Sequence, residues 1–189
     1  MDWSNNNLHT ELENIKEVIL NNDVIKDTLD IMNGLGLHDC ILGGGALRCA
    51  VWNDRHGFAD DKFIKDLDIL YHDPKNPNKY TMTIKVRGIP VEFKNQAFTH
   101  EWYFRKFGTK MEPLKTLEES VSTWTEVATC IAIDSHGTLI TPFGVYDLVE
   151  GICRRNPNNA RNKEDNSFFV DRVKKLKLEE RYPQVEIII

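Results

Sequence analysis

The chain has 189 residues, of which 41% are hydrophobic and 28% are charged, and its formal net charge at pH 7 is −5. This ordinary globular balance favours one folded domain and argues against an intrinsically disordered chain. The acidic excess makes a long DNA duplex an unexpected partner, since a large nucleic-acid footprint usually carries a basic domain. The sequence shows neither a signal-peptide pattern nor an apolar run near the ~20 residues of a membrane span, so no membrane partner is expected.

The four cysteines are spaced too widely for the paired ligands of a zinc ribbon. They are Cys40, Cys49, Cys130 and Cys153. Isolated thiols usually behave as small hydrophobic side chains. We therefore predict reduced, mostly buried cysteines and a cytoplasmic location.

Helices are predicted where apolar residues recur at helical spacing. The second helix takes Asp23 as its N-cap and ends at Gly34 or Gly36. The fourth is rich in aromatic residues, and the last is basic and amphipathic. The predicted helices cover residues 8–20, 24–34, 46–54, 97–107, 117–124, 146–152 and 168–178.

Strands are predicted where apolar and polar residues alternate, or where short apolar runs lie between turn residues. Arg87-Gly88 joins two such segments into a predicted hairpin. Residues 154–165 form a predicted polar loop. Helices and strands mixed in this order favour one α+β domain. The predicted strands cover residues 40–42, 66–71, 80–87, 89–93, 128–133 and 139–140.

Three consecutive glycines, Gly43, Gly44 and Gly45, separate the first predicted strand from the helix after it. Without a Cβ the backbone can adopt a positive φ and approach a ligand closely. The N–H groups and dipole of the helix N-terminus then favour an anion, and a polyphosphate is the largest common one. Arg48, in the first helical turn, is a candidate for charge-assisted hydrogen bonds to that anion. The turn could also be only a tight corner between strand and helix.

Two other phosphate-binding motifs fit the glycine segment poorly. A P-loop needs Gly-Lys-Ser/Thr after the glycines, and this sequence lacks it. The Rossmann fingerprint is matched in part, by Gly43-x-Gly45 and by an acid about 20 residues later. Its third glycine position, however, is occupied by Arg48, which is too large for close helix–strand packing. No second βα unit follows immediately either.

Three acidic residues are candidates for a metal site. Asp66 and Asp68 lie two residues apart on a predicted strand, so both carboxylates face the same side. Glu92 stands between Val91 and Phe93, and it points to that side if its strand is the neighbour. Three acids on one face repel one another unless cations neutralise them, which favours divalent metal binding. Taken singly, each acid could be a solvated strand residue.

Two further groups have more than one possible role. Lys94 follows Glu92 on the same strand face, where it could contact a phosphate or form an ion pair. His100, Trp102 and Tyr103 lie close together on a predicted helix. We expect core packing for these three rather than base stacking or substrate contact.

The order of these features resembles the DNA polymerase β-like nucleotidyltransferase superfamily: a glycine turn that opens a helix, an Asp-x-Asp strand, and a third acid on a later strand. The chain is more closely similar to a bacterial nucleotidyltransferase-like family over residues 36–187. The residues that carry the similarity are 43–48, 51–52, 56–57, 65–71, 91–97, 100, 102–103, 107–108, 142–148, 156–157 and 181–183.

The resemblance implies a polymerase-β-like nucleotidyltransferase fold of the α+β class, with a mixed β-sheet flanked by helices and a C-terminal α/β extension. It implies a single domain over residues 1–189, with a core of about 36–110 and an extension of about 111–189. One departure is that the segment between Asp73 and Val91 is short by one helix. This departure concerns the base pocket of a nucleotide more than the metal site.

The resemblance also assigns roles to the candidate residues. Asp66, Asp68 and Glu92 would be the catalytic acids and would bind Mg²⁺ or Mn²⁺. Most members of the superfamily have Ser or Thr after the glycines to contact the phosphate, whereas Ala46 stands there in this sequence. The backbone of the glycine turn and Arg48 would therefore hold the phosphates.

The predicted function is Mg-dependent nucleotidyl transfer, in which an NMP moves from an NTP substrate to a hydroxyl acceptor and pyrophosphate leaves. The acceptor could be RNA, a protein or a small molecule. An RNA acceptor includes the case of RNA modification in a toxin–antitoxin or phage-defence setting. The alternative is a catalytically inactive nucleotide-binding or regulatory module. The clustered acids argue against that alternative, because simple binding does not require them.

Overall fold

Helices and strands are interspersed through residues 8–163 and 166–189, the parts of the chain that the computed structural model describes. The helices are α1 (Leu8–Asn21), α2 (Asp23–Gly34), α3 (Gly45–Arg55), α4 (Thr99–Phe107), α5 (Leu117–Ser122), α6 (Tyr146–Glu150), α7 (Ser167–Leu176) and α8 (Leu178–Arg181). The strands are β1 (Ile41–Gly43), β2 (Leu67–Tyr71), β3 (Ile84–Val86), β4 (Ile89–Asn95), β5 (Ala132–Asp134), β6 (Leu139–Ile140), β7 (Ile152–Arg154) and β8 (Glu186–Ile188). Short 3-10 helices cover Gln96–Phe98 and Val127–Thr129.

Six strands form one mixed sheet in the order β3-β4-β2-β1-β5-β6. The pair β2–β4 is parallel, and the other neighbours are antiparallel. This sheet and its helices confirm the predicted α+β class. Strands β5 and β6 come from the predicted C-terminal extension, which thus contributes to the same sheet. The division at about residue 110 stays a prediction. A smaller parallel pair joins β7 to β8.

The two faces of the main sheet support separate hydrophobic clusters because alternate residues of each strand point to opposite sides. Leu42, Leu67 and Ile69 are fully buried on one face, in the larger cluster that includes side chains of α1, α2 and α3. Burial of each such side chain contributes about 1.5–3 kcal/mol. Ile41 and Leu70 point to the other face, in a smaller cluster with residues of α5 and β5. The acid-bearing face is the one with the smaller cluster.

The predicted hairpin at Arg87-Gly88 is confirmed. Arg87 has φ of 50° and Gly88 has φ of 85°. Two successive positive φ angles match the right-handed twist of the paired strands β3 and β4. Strand β3 is shorter than predicted, because residues before Ile84 do not pair with β4.

Several predicted boundaries were wrong. Asn22, not Asp23, is the N-cap of α2: its side-chain oxygen accepts hydrogen bonds from the N–H groups two and three residues later. The predicted strand 128–133 begins with a 3-10 helix and pairs only from Ala132. The last predicted helix breaks at Lys177, whose φ is 52°. Strands β7 and β8 were not predicted, because three-residue strands carry too little periodicity to detect.

The prediction about the cysteines is confirmed in its structural part. All four are buried and free of disulfide bonds in the region described. Burial raises the pKa of the Cys130 thiol to about 12, so it is un-ionised at neutral pH. The described part of the chain contains no helix with both the length and the apolar character of a membrane span.

Candidate active site

Strand pairing brings the three predicted acids together. Asp68 on β2 lies directly opposite Glu92 on the parallel strand β4, and Asp66 immediately precedes β2. One carboxylate oxygen from each of the three lies within 4.8 Å of the others. Glu92 therefore lies on the same face as both aspartates, as its position between Val91 and Phe93 predicts. Leu67 and Ile69 are fully buried on the opposite face and fix the register of β2.

Lys94 lies among these acids as an internal cation. Its Nζ is 2.5 Å from Oδ1 of Asp68 and 3.1 Å from Oε2 of Glu92. Of the two roles predicted for Lys94, the structure shows the ion pair. Burial raises the pKa of the Asp68 carboxyl despite the opposing effect of the Lys94 ammonium. Burial favours the neutral amine of Lys94, but the carboxylates prevail and raise its pKa.

The acid cluster suits a divalent metal ion. Carboxylate oxygens are the ligands that Mg²⁺ and Mn²⁺ prefer. The single Lys94 ammonium faces Asp68 and Glu92, so it balances only part of the negative charge that Asp66, Asp68 and Glu92 carry together. The donor set therefore fits one or more divalent cations, while the identity of the ion stays a prediction.

The glycine turn lies beside the acids. Gly43, the last residue of β1, is directly opposite Asp68 on β2. Gly44 has φ of 77° and ψ of −131°, a conformation that residues with a Cβ rarely adopt. Gly45 begins α3, whose N-terminus receives no side-chain cap. The positive end of α3 and its first N–H groups are thus available to an anion on the acid-bearing side.

The turn is also in contact with an indole ring that the sequence analysis did not single out. A Cβ at Gly43 would lie 2.5 Å from Cη2 of Trp124 and 3.1 Å from the Cβ of Ala132. Trp124 was predicted to end a helix, but α5 ends at Ser122, and the loop after it carries the indole over the glycine turn. Gly43 is therefore required by packing as well as by any ligand.

We expect Gly43→Ala to destabilise the protein by about 1–3 kcal/mol, because the new methyl group overlaps the indole of Trp124. Gly45→Ala is the matched control: a Cβ there meets no atom within 4 Å, and its φ is not positive. That change should be neutral or stabilise by up to about 1 kcal/mol. Urea denaturation of both variants measures the difference, and equal stability of the two would contradict the packing assignment.

Arg48 is not brought together with the acids. Its side chain is 4% exposed, and Nη1 is 2.5 Å from Oε2 of Glu126. Arg172 on α7 contacts the other oxygen of Glu126 at 2.5 Å. The guanidinium also stacks 5.1 Å from the ring centroid of Trp52. A buried, paired guanidinium is unavailable to a phosphate in this structure, so the predicted phosphate contact of Arg48 is not what the geometry supports.

Glu126 is the second functional candidate that the sequence analysis missed. It is fully buried, and although burial alone would raise the pKa of its carboxyl, Arg48 and Arg172 prevail and lower it. Glu126 links the first turn of α3, next to the glycines, to the loop that carries Trp124. No local pattern identifies it, since its partner Arg48 lies 78 positions away in the sequence.

The aromatic helix α4 is more exposed than predicted. It contains no buried residue, and Trp102 is 45% exposed, so the expected core packing was wrong for Trp102. Trp102, Tyr103 and Phe107 pack edge to face against one another. The hydroxyl of Tyr103 accepts a hydrogen bond from Nδ2 of Asn159 at 2.9 Å.

Comparison with known proteins identifies the family. A sequence profile of the family described as nucleotidyltransferase matches residues 30–187. The chain belongs to this family. It is a nucleotidyltransferase, and the acids and the glycine turn lie within the matched residues. No curated protein sequence matches the chain.

Solved structures share the fold of this nucleotidyltransferase at low sequence identity. A protein whose NMR structure reveals a CCA-adding enzyme head domain has a TM-score of 0.73 at 18% identity, over 93% of this chain and 95% of that one. A CCA-adding enzyme in complex with CTP has a TM-score of 0.56 at 16% identity. The Thermotoga maritima CCA-adding enzyme complexed with tRNA has 0.51 at 15%. The last two matches cover 93% of this chain but only 43% and 42% of those chains. The likeness confirms the predicted polymerase-β-like nucleotidyltransferase fold.

Proposed function

We propose that this nucleotidyltransferase moves an NMP from an NTP to a hydroxyl group of an acceptor, with Mg²⁺ or Mn²⁺ as cofactor. The observation that carries the proposal is the cluster of Asp66, Asp68 and Glu92, whose carboxylate oxygens lie within 4.8 Å of one another beside the glycine turn. A catalytically inactive binding module would not need three acids held against their own repulsion. Catalysis is therefore the better interpretation.

Each part of the site has a distinct task in this proposal. The acceptor oxygen attacks the α-phosphorus, the bond from that phosphorus to the bridging oxygen breaks, and pyrophosphate leaves. Asp66, Asp68 and Glu92 hold the cofactor, and a divalent ion bound there would stabilise the developing charge and lower the pKa of the attacking hydroxyl. The N–H groups at the start of α3, from Gly45 onward, bind the triphosphate. Arg48 is left out of the phosphate-binding set because Glu126 already pairs with it.

The acceptor remains open between RNA, a protein and a small molecule. The likeness to CCA-adding enzymes, one of them solved with tRNA, makes an RNA hydroxyl a natural first candidate. Incubation with each α-³²P-labelled NTP, Mg²⁺ or Mn²⁺ and a lysate fractionated into RNA, protein and small molecules would identify the class. Transfer of label to none of the fractions, with protein that binds NTP normally, would favour the inactive module.

We expect NTP to bind only together with a divalent ion, because a bare triphosphate would meet three carboxylates whose negative charge Lys94 balances only in part. Isothermal titration with NTP in excess Mg²⁺ and again in EDTA measures this dependence. Equally tight binding in EDTA would contradict the metal assignment. The single positive charge of Lys94, which faces Asp68 and Glu92, is too small to take the place of divalent ions in neutralising a nucleoside triphosphate, whose charge is about −4.

A further inference from the structure

A half-buried tryptophan lies in line with the acids across the sheet. Four residues on adjacent strands lie directly opposite one another and share one face of the sheet: Glu92, Asp68, Gly43 and Ala132. The indole of Trp124 covers the position where Gly43 has no side chain. It therefore lies about one strand spacing, ~4.8 Å, beyond Asp68 on the same face.

The loop that carries the indole is held by buried asparagines. The side-chain amide of Asn156 donates to the carbonyl groups of Ser122 and Trp124 at 2.7 and 2.8 Å. Asn159 and Asn162 donate in the same way, each at 2.8 Å, to the carbonyl groups of the two residues that flank Trp124. The three asparagines are 0%, 1% and 2% exposed, respectively.

This arrangement fixes Trp124 firmly. Buried amides that hydrogen-bond successive backbone carbonyls give a loop one defined conformation. The neighbouring Glu126 adds a buried ion pair to Arg48, in the first turn of α3. The indole is thus preorganised relative to the glycine turn, as a ligand-contacting side chain must be.

We propose that the indole of Trp124 is the surface on which the base of the bound NTP stacks. The inference rests on the proposed function, because the triphosphate must first be held between the acids and the start of α3. Trp124 is the aromatic member of the described side chains that cluster on this face, and it is only partly buried. Every nucleobase has a flat π-face, and stacking on an aromatic side chain needs no base-specific hydrogen bond.

A purely structural role predicts something different. If the indole only covered Gly43 and Ala132, a smaller apolar side chain such as leucine would still cover them in part, and the affinity for nucleotide would not change. The two roles therefore differ in their effect on base-containing ligands as compared with inorganic polyphosphate.

The test compares Mg-NTP with Mg-tripolyphosphate, which has no base, on folded wild-type, Trp124→Leu and Trp124→Phe protein. We expect Trp124→Leu to weaken NTP binding about 5- to 100-fold, the effect of losing one base stack. Tripolyphosphate binding should stay within about twofold, and Trp124→Phe should restore much of the NTP affinity. Trp102→Leu, which removes an exposed tryptophan from α4, is the control and should change neither affinity.

The outcomes separate this inference from the proposed function. If wild-type protein binds neither ligand, the proposed function falls and the inference falls with it. If both ligands bind and Trp124→Leu weakens them equally or not at all, only the stacking role is overturned. If Trp124→Leu does not fold, fluorescence quenching provides the test instead. Mg-NTP should quench the tryptophan fluorescence of Trp102→Phe, which keeps Trp124, but not that of Trp124→Phe. Equal quenching of the two variants would overturn the inference.

Discussion

Asp68→Asn is expected to reduce NMP transfer by about 10³-fold or more while leaving the protein at least as stable. Charge stabilisation at a metal-assisted phosphoryl transfer is worth several kcal/mol, and each 1.4 kcal/mol is a tenfold change in rate. The substitution keeps the shape of the side chain and removes one charge from the row of acids. Initial rates with labelled NTP measure the loss.

The expected stability follows from the surroundings of the same residue. Burial raises the pKa of the Asp68 carboxyl, which means that the folded protein carries the ionised form at a cost. Asparagine removes that cost, and Lys94 retains Glu92 as a partner. Asp39→Asn, at a carboxylate 86% exposed, is the control and should change neither rate nor thermal stability. If Asp68→Asn unfolded several degrees earlier than wild type, Asp68 would be structural and the metal assignment would be wrong.

The acid cluster could be predicted from the sequence because a strand has a period of two. Asp68 between Leu67 and Ile69, and Glu92 between two apolar residues, can point in only one direction once the apolar neighbours enter the core. The sequence did not determine which strands are neighbours. That step came from the resemblance, and the parallel pairing of β2 with β4 confirms it.

The surroundings of the glycine turn could not be predicted in the same way. A charged residue in the first turn of a helix is an obvious phosphate ligand by position, yet Arg48 is buried against Glu126. That pairing depends on how the loop after α5 packs, and no local periodicity reports it. The same loop places Trp124 on Gly43. The sequence offered a ligand or a tight strand-to-helix corner as the reason for the glycines, and neither explanation included packing against an indole.

Glu126→Gln is expected to cost about 3–5 kcal/mol in the free energy of unfolding at pH 7. Removing one partner of a buried ion pair leaves the other charge without compensation, and here Arg48 is 4% exposed. Arg172, 35% exposed, can reach water and suffers less. Glu101→Gln is the matched control, because the pair of Glu101 with Arg105 is exposed and should contribute at most about 0.5 kcal/mol.

Acidification gives this prediction a second readout. The folded-state pKa of Glu126 lies below the ordinary value of 4.5, so its contribution to stability is complete above pH 4.5 and is lost as the pH falls through the lowered pKa. The wild-type protein then carries a neutral side chain at this position, as the Gln variant always does. The difference between their unfolding free energies, measured by urea denaturation at decreasing pH, should therefore shrink in acid. A difference at pH 7 no larger than that of Glu101→Gln would mean that the ion pairs of Glu126 do not hold the glycine turn and the Trp124 loop together.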